Sequence, residues 1–450
     1  MSQLIADIVS RTGASIFGLF LLFAATLSLL RTVVIPRSLH SVIADAVARV
    51  ITGAAFAVGR VARTYERRDG ILAWAGPLII IGQLITWLLL YLLAYGLLIY
   101  GVSGMDLGDS VREAGSSLFT LGFASVNTEE QTAIDFLAAA TGPIVIALMI
   151  GFLPTIYSAY IAREVDVTML GTLAGEPAWG PELLSRITMA GNLDGIGEVF
   201  SRWTEAASRL RMTHMTYPVL IWVRSGRARR HYVVSLLAVL DSAALLVSLK
   251  PSLRKSGAFA LLAQGAQTMQ TLEVGSIQRH RWRRMLPFQG RVATAPPEIQ
   301  RLETNLPGWN RRVVAVEVAS DLDAIQGMDS DAVATLSTGL KRPLELTRAD
   351  FDEAVALLIK SGFPIDTSID RDESWNRFRV ARSRYEYAAY ALCRRLDAPR
   401  APWTGDRNLP TSVMWPNLAS SVLPDVEAGE HSESDEPPGQ PPSADGHDAT

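Results

Sequence analysis

The feature that most constrains this chain is its segment 71–105, which contains no Asp, Glu, Lys, Arg or His. A helix of about 20 apolar residues is long enough to cross the ~30 Å hydrocarbon core of a bilayer. Segments 12–30 and 136–162 also have the required length and apolar character. The sequence therefore predicts an integral membrane protein that crosses the bilayer three times within its first third.

The rest of the chain is predicted to be a mostly helical, water-soluble region, because charged residues recur at short intervals from 273 to 400. For segment 12–30 a cleaved signal peptide is the alternative, but no small-residue cleavage site follows Leu30. We therefore interpret it as an uncleaved span. The single cysteine, Cys393, has no disulfide partner, which favours a reducing cytoplasmic environment for the soluble region.

Arginine dominates the connection between the first two spans, and the positive-inside rule assigns such a connection to the cytoplasm. Residues 106–135 then lie outside, and everything after Arg163 lies inside. The predicted location is the plasma (inner) membrane, multi-pass, with the N-terminus outside and the C-terminal domain cytoplasmic. The arginines that support this orientation are Arg31, Arg37, Arg49, Arg60, Arg63, Arg67 and Arg68.

Residues 38–63, within this connection, show helical periodicity that Asp45 and Arg49 interrupt. Asp45 and Arg49 are four residues apart, so one face of a helix can carry both. The pattern favours an amphipathic helix that lies along the membrane surface, and a fourth crossing is the alternative.

The external loop begins with a short helical segment, 109–120, and continues through residues 121–125. Small residues, among them Ala114, Gly115, Ser116 and Ser117, allow a close approach to neighbouring helices. A loop that re-enters the bilayer must bury its irregular backbone in protein or line water with it. This segment is therefore a candidate re-entrant loop, and an ordinary extracellular turn is the alternative.

Thr120, Leu121, Gly122, Phe123 and Ala124 stand where the potassium-channel superfamily carries its T-V-G-Y-G filter. The order of outer helix, pore helix, filter and inner helix resembles the pore module of that superfamily. It is also similar to bacterial relatives labelled as two-pore-domain potassium channels. The resemblance implies that backbone carbonyls of this filter replace the hydration shell of a permeating monovalent cation, potassium in that family. One chain carries one such loop, so the resemblance also implies a homotetramer.

The sequence departs from this family at Ala124, which replaces the last glycine of the filter, and at Ser125, which replaces an acidic residue. A Cβ at a position that needs positive φ costs roughly 1 kcal/mol or more. The filter is then rearranged, less selective for potassium, or closed. Two functions follow: a tetrameric pore-loop cation channel, or a non-conducting membrane sensor or scaffold that retains the channel architecture.

The third span is predicted to be the inner, pore-lining helix, interrupted at two places where glycine and proline bend membrane helices. The resemblance implies a gating hinge, with Gly151 the main candidate, and helix packing through small residues is the alternative. Acidic residues of the external loop are predicted to concentrate cations at the outer mouth. The hinge candidates are Gly142, Pro143, Gly151 and Pro154, and the outer-mouth candidates are Glu113, Glu129 and Glu130.

In the soluble region, residues 231–249 nearly match a fourth span in length, but Asp241 lies at their centre. An acid facing lipid at mid-helix costs roughly 2.5–3.5 kcal/mol, so we predict a buried core helix with Asp241 capped or paired. Helical periodicity also covers 181–210 and 374–395. Thr347 and Asp350 form a helix-start signature, which Gly362 and Pro364 close.

No nucleotide-binding, metalloprotease or paired Cys/His motif is present in the sequence, so neither an enzyme nor a cofactor is predicted. The basic cluster 279–284 is interpreted as a solvated face or a contact with anionic lipid headgroups, and nucleic acid is not a predicted partner. The predicted partners are the permeating cation, further copies of the chain and the lipid bilayer.

The predicted fold class is an all-α membrane protein: an auxiliary helix, then an outer helix/pore loop/inner helix module, then a helical cytoplasmic domain. The predicted segments are the first transmembrane helix (1–34), an amphipathic linker (35–70), the pore module (71–165, with spans 71–103 and 135–163 around a pore helix and filter at 107–127), a helical cytoplasmic domain (166–300), a second helical part (301–420) and a disordered acidic tail (421–450).

Overall fold

The computed structural model describes residues 2–35, 41–123, 128–251, 257–278, 337 and 344–405, and within these ranges the chain forms helices and turns without a strand. The predicted all-α class is confirmed for this part of the chain. The described residues belong to one compact unit. Ala124, the basic cluster 279–284, most of segment 301–343 and the acidic tail lie outside the described residues.

The N-terminal part of the chain forms six α-helices with short connections. A π-helical turn, Leu30–Val34, follows the first of them. The helices are α1 (Ser2–Leu29), α2 (Val42–Gly59), α3 (Tyr65–Ala73), α4 (Ala75–Ser103), α5 (Leu107–Leu118) and α6 (Glu129–Ala174).

The C-terminal part contains seven further α-helices in the described ranges. Short 3-10 helices, Leu193–Gly195 and Pro218–Trp222, connect some of them. The α-helices are α7 (Gly180–Met189), α8 (Ile196–Thr216), α9 (Tyr232–Leu249), α10 (Ala258–Gln278), α11 (Arg348–Lys360), α12 (Arg371–Arg382) and α13 (Glu386–Leu396).

Within the described ranges, five helical segments are long and apolar enough to cross a membrane: α1, α2, the segment formed by α3 and α4, α6, and α9. In the first four most side chains are exposed or half-buried, whereas α9 is buried along its whole length. An apolar helix that protein surrounds on every side does not need lipid to cover it. The predicted buried core helix is therefore confirmed, and the other four segments supply the apolar surface of a membrane protein.

Helix α1 packs antiparallel along α4. Near one end of the pair Gly101 lies against Ser15, in the middle Gly18 lies against Ala94, and further along the Trp87 indole N–H donates to Ser28 Oγ at 3.0 Å. Glycine allows the two helix backbones to lie this close together, because a Cβ at Gly18 or Gly101 would overlap the facing helix. Close packing thus joins the auxiliary helix to the outer helix over most of its length.

Helix α2 follows α4 in the same way. Its N-cap Ser41 contacts Ser28 beside Trp87, its middle residue Ile51 meets Gly82, and its last residue Gly59 meets Leu72. Successive turns of α2 thus contact successively earlier residues of α4 and α3. The contacts thus align α2 with α4, and the position of α2 along the membrane surface stays a prediction.

The C-terminal part of the chain has a hydrophobic core of its own, and α9 lies at its centre. The helices that pack around α9 are α6, α7, α8, α10, α12 and α13. The Arg382 guanidinium, fully buried, pairs with the Asp241 carboxylate of α9. Tyr385 Oη donates to the same carboxylate at 2.8 Å, and Arg382 Nε donates to Glu386 at 3.0 Å. The predicted pairing of Asp241 is confirmed, and its partners come from the turn between α12 and α13.

Two helices predicted as continuous are divided in the structure. The helix predicted over 374–395 ends at Arg382 and resumes at Glu386, because the intervening turn brings Tyr385 to Asp241. The periodic segment 181–210 is divided near Gly191, whose φ of +67° ends α7. By contrast, Thr347 and Asp350 form the expected capping box of α11.

Candidate functional site

The candidate site begins with the position of α5, which packs against both α4 and α6. Val111 of α5 lies against Gly96 of α4, where a Cβ would come within 2.8 Å of the valine side chain. At the other end of α5, the Leu118 carbonyl lies against Gly142 of α6, and a Cβ there would overlap it. Two glycines thus allow the short helix to sit between two long apolar helices.

The start of α5 is held in place by capping groups. Gly104, with φ of +69°, ends α4, and the Asp106 carboxylate accepts from the Gly108 amide at 3.0 Å. From α1, Arg11 donates to the carbonyl oxygens of Tyr100 at 2.8 Å and Gly104 at 3.3 Å. These carbonyl oxygens lie at the negative end of the α4 dipole, so the positive charge of Arg11 is favourable there.

Residues 119–123 form a compact turn at the carboxyl end of α5. The Thr120 amide donates to Ser117 O at 3.0 Å, the Leu121 amide to Ser116 O at 2.7 Å, and the Phe123 amide to Ser116 Oγ at 3.1 Å. Thr120 and Gly122 both have positive φ, +55° and +69°. The amides therefore point back to α5, as in the left-handed motifs that close helices.

The opposite side of this turn is open. Among the described residues, no hydrogen bond ends on the carbonyl oxygens of residues 120–123. The side chains of Leu121 and Phe123 are 63% and 56% exposed. The turn therefore presents free carbonyl oxygens and uncovered apolar side chains in a single chain. Ala124, the last residue of the predicted filter, lies outside the described residues.

The four hinge candidates differ in their surroundings. Helix α6 runs without a break from Glu129 to Ala174, so Pro143 and Pro154 lie inside a continuous helix, and a gating hinge at these residues stays a prediction. Gly142 serves packing, since it accommodates the Leu118 carbonyl. A Cβ added to Gly151 would have no atom of another helix within 4 Å, so contact with another helix does not explain this glycine.

The three acidic outer-mouth candidates also separate. Glu129 and Glu130 are exposed in the first turn of α6, where the helix dipole stabilises negative charge. Glu113 is only 3% exposed and lies between α5 and α6, so it is not part of an open acidic rim. Ser110 and Ser117, three residues before and four after, share one face of α5 with Glu113. This spacing of small polar residues is the pattern in the sequence that indicates the burial of Glu113.

A buried polar layer that sequence reasoning missed surrounds Glu113. Gln131 and Asp135, one turn apart on α6, face it, and Ser117 Oγ donates to Asp135 Oδ1 at 2.8 Å. Burial raises the pKa of the Glu113 carboxyl, and the neighbouring Asp135 charge raises it further. These groups connect α5 to the start of α6 directly behind the 119–123 turn, and they favour a protonated Glu113.

The described part of the chain contains no group of three or more His, Cys, Asp or Glu side chains arranged to hold a metal ion. The fold defines the chain as an all-helical protein with the apolar helices of a membrane protein. No protein-family model, curated protein or solved structure matches it. Its function is therefore inferred from the geometry of its own residues.

Proposed function

We propose that this chain is one subunit of a homotetrameric pore-loop cation channel, with potassium as the expected ion. The observation that carries the proposal is the 119–123 turn, held by α5 between two long apolar helices. The amides of Thr120, Leu121 and Phe123 donate back to α5, and among the described residues no donor reaches the carbonyl oxygens of residues 120–123. Free backbone carbonyls are the groups that replace the hydration shell of an ion in a selectivity filter.

Several copies of the chain would be needed to build a filter from turns of this kind. The described residues contain one turn of this kind, and a ring of carbonyls needs several. The exposed side chains of Phe119, Leu121 and Phe123 supply apolar surface for contacts between copies around a central axis. In such a ring Glu129 and Glu130 lie on the same side as the turn and raise the local concentration of cations.

Helix α6 would be the inner helix of each subunit. It has 46 residues, which corresponds to about 69 Å at 1.5 Å per residue. This is about twice the ~30 Å hydrocarbon thickness, so α6 connects the pore to the α7–α13 core. Its buried Arg163, which donates to the carbonyls of Leu220 at 3.1 Å and Val223 at 2.7 Å, joins it to that core.

The second candidate function is a non-conducting membrane sensor or scaffold with the same architecture. The positive φ of Thr120, a β-branched residue, favours it, because this conformation is strained and bends the backbone at the first predicted filter position. Ala124 in place of glycine favours it as well. In this alternative the α7–α13 core is the functional part, and the turn serves only to close α5.

Current recordings from purified protein in planar bilayers distinguish the two functions. The channel predicts potassium currents that Gly122→Asp abolishes, since Gly122 has positive φ and its Cα faces open space at the turn. Gly191→Asp at the end of α7, where the glycine also has positive φ and faces open space, is the matched control and should leave the currents intact. A protein that is strictly monomeric in native membranes, or silent under every gating condition, would contradict the channel.

A further inference from the structure

Five exposed arginines form one surface at the end of α4 that lies away from α5. We define this basic surface as Arg60, Arg63, Arg67, Arg227 and Arg229, all of which are exposed. The first three lie in and around the turn between α2 and α3. The other two belong to the loop that follows the 3-10 helix Pro218–Trp222, more than 150 residues later in the chain.

Specific contacts bring the two groups of arginines together. Arg229 lies 3.7 Å from Glu66 of α3, and the buried Arg224 guanidinium pairs with Asp69 of α3. Next to them, Val223 packs on the first turn of α4, where a Cβ on Gly76 would come within 2.8 Å of it. The loop carrying Arg227 and Arg229 is therefore seated directly at the start of α4.

Apolar side chains border this surface. Val61, in the α2–α3 turn, is 82% exposed, and Trp74, where α3 joins α4, is 66% exposed. Tryptophan is enriched where a membrane meets water, because its ring is apolar and its N–H is polar. Arginines next to an exposed tryptophan and valine form the amphipathic surface expected at the level of lipid headgroups.

The charge of this surface is unbalanced. Among the described residues of segments 58–76 and 222–231, Glu66 is the one exposed acid, against the five exposed arginines. The Arg224–Asp69 pair is largely buried and joins the two segments, whereas Arg68 pairs with Asp397, which lies outside both. Arg227 and Arg229 form long, exposed ion pairs, at 3.6 Å with Glu176 and 3.7 Å with Glu66. Among the described residues no ion pair involves Arg60, Arg63 or Arg67, so the surface keeps an excess of positive charge that an external anion can neutralise.

We propose that the basic surface binds the headgroups of anionic phospholipids and so docks the α7–α13 core onto the membrane surface. Anionic phospholipid, and not an acidic soluble protein, is the partner that fits, because the arginines are continuous with the apolar start of a membrane-spanning helix. Juxtamembrane arginines attract anionic lipid, and the attraction falls with distance over a Debye length of about 10 Å at 0.1 M salt. This role does not require that the protein conducts ions.

The test uses the full-length protein purified in mild detergent from vesicles that contain phosphatidylcholine and phosphatidylglycerol. Mass spectrometry measures the ratio of the two lipids that the protein retains. The wild type is expected to enrich phosphatidylglycerol, and Arg227→Gln with Arg229→Gln to reduce the enrichment roughly tenfold or more, because each arginine changes affinity about fivefold. Raising the salt concentration of the wash should have the same effect.

The matched control is Lys360→Gln with Arg371→Gln, which removes the same charge from α11 and α12. This control should retain as much phosphatidylglycerol as the wild type. Equal enrichment in the Arg227/Arg229 variant and the wild type would overturn the proposal, as would a wild type without enrichment. The latter is the result expected if the surface binds an acidic soluble protein. Because the side chains of Arg227 and Arg229 are exposed, the variant keeps its fold, which its thermal unfolding verifies.

Discussion

The carbonyl oxygen of Leu118 rests against the Cα of Gly142, where the last turn of α5 meets the first third of α6. This contact sets the depth at which α5 sits between α4 and α6. It also places the 119–123 turn relative to the longest helix of the protein.

Gly142→Ala is expected to destabilise the protein by about 1–3 kcal/mol, because the added methyl group overlaps the Leu118 carbonyl and displaces α5. Gly151→Ala is the matched control in the same helix, since its methyl group enters open space. Thermal unfolding in detergent measures the stability of both variants. If Gly142→Ala and Gly151→Ala were equally stable, the close contact would not exist as described.

Arg382→Met is expected to cost about 3–5 kcal/mol, because it leaves the carboxylates of Asp241 and Glu386 buried without their positive partner. Arg348 on α11 is half-buried and pairs with the exposed carboxylates of Asp352 and Asp372, so Arg348→Met should cost no more than about 1 kcal/mol. Denaturant unfolding of the solubilised protein provides the comparison. Similar losses for both variants would contradict a buried ion pair at the centre of the α9 core.

Glu113→Gln is expected to change how stability depends on pH. The folded state raises the pKa of Glu113, so this group favours folding below its unfolded pKa and loses that contribution as pH rises through the raised value. Gln cannot ionise, and the variant should therefore lose less stability than the wild type between acidic and neutral pH. Glu129→Gln, exposed in α6, is the control and should follow the wild-type profile. Parallel profiles for wild type and Glu113→Gln would contradict the burial of this carboxyl.

Ala124→Gly tests the departure from the channel family, and it depends on the proposed function. Glycine reaches positive φ without the penalty of a Cβ, so a conducting protein should gain selectivity for potassium over sodium. Reversal potentials in mixed potassium and sodium solutions measure the gain. Ala54→Gly on the exposed face of α2 serves as the control. An unchanged reversal potential in a conducting Ala124→Gly protein would count against strain at this position.

Several features were predictable because neighbouring residues decide them. The charge-free segment 71–105 needs apolar surroundings whatever the rest of the chain does, and α4 lies within it. The side chains of Thr347 and Asp350 each accept a hydrogen bond from the other residue's backbone amide. Residues within one turn therefore determine where α11 begins. For α9, a central Asp241 argued against lipid and in favour of a paired, buried helix.

Other features required the tertiary structure, because they depend on residues far apart in the chain. The sequence did not show that Gln131 and Asp135 of α6 face Glu113, or that the Leu118 carbonyl lies against Gly142. Periodicity reports which face of a helix is apolar, but it does not identify the element that covers that face.

The same distinction applies to the start of α4. Composition and charge were sufficient to predict a membrane protein with its basic connection at one end of that helix. That Arg224 pairs with Asp69, and so brings a second group of arginines to the same end, followed only from packing. Hydrophobic and charge patterns act along the chain, whereas a salt bridge between residues 69 and 224 exists only once the fold has joined them.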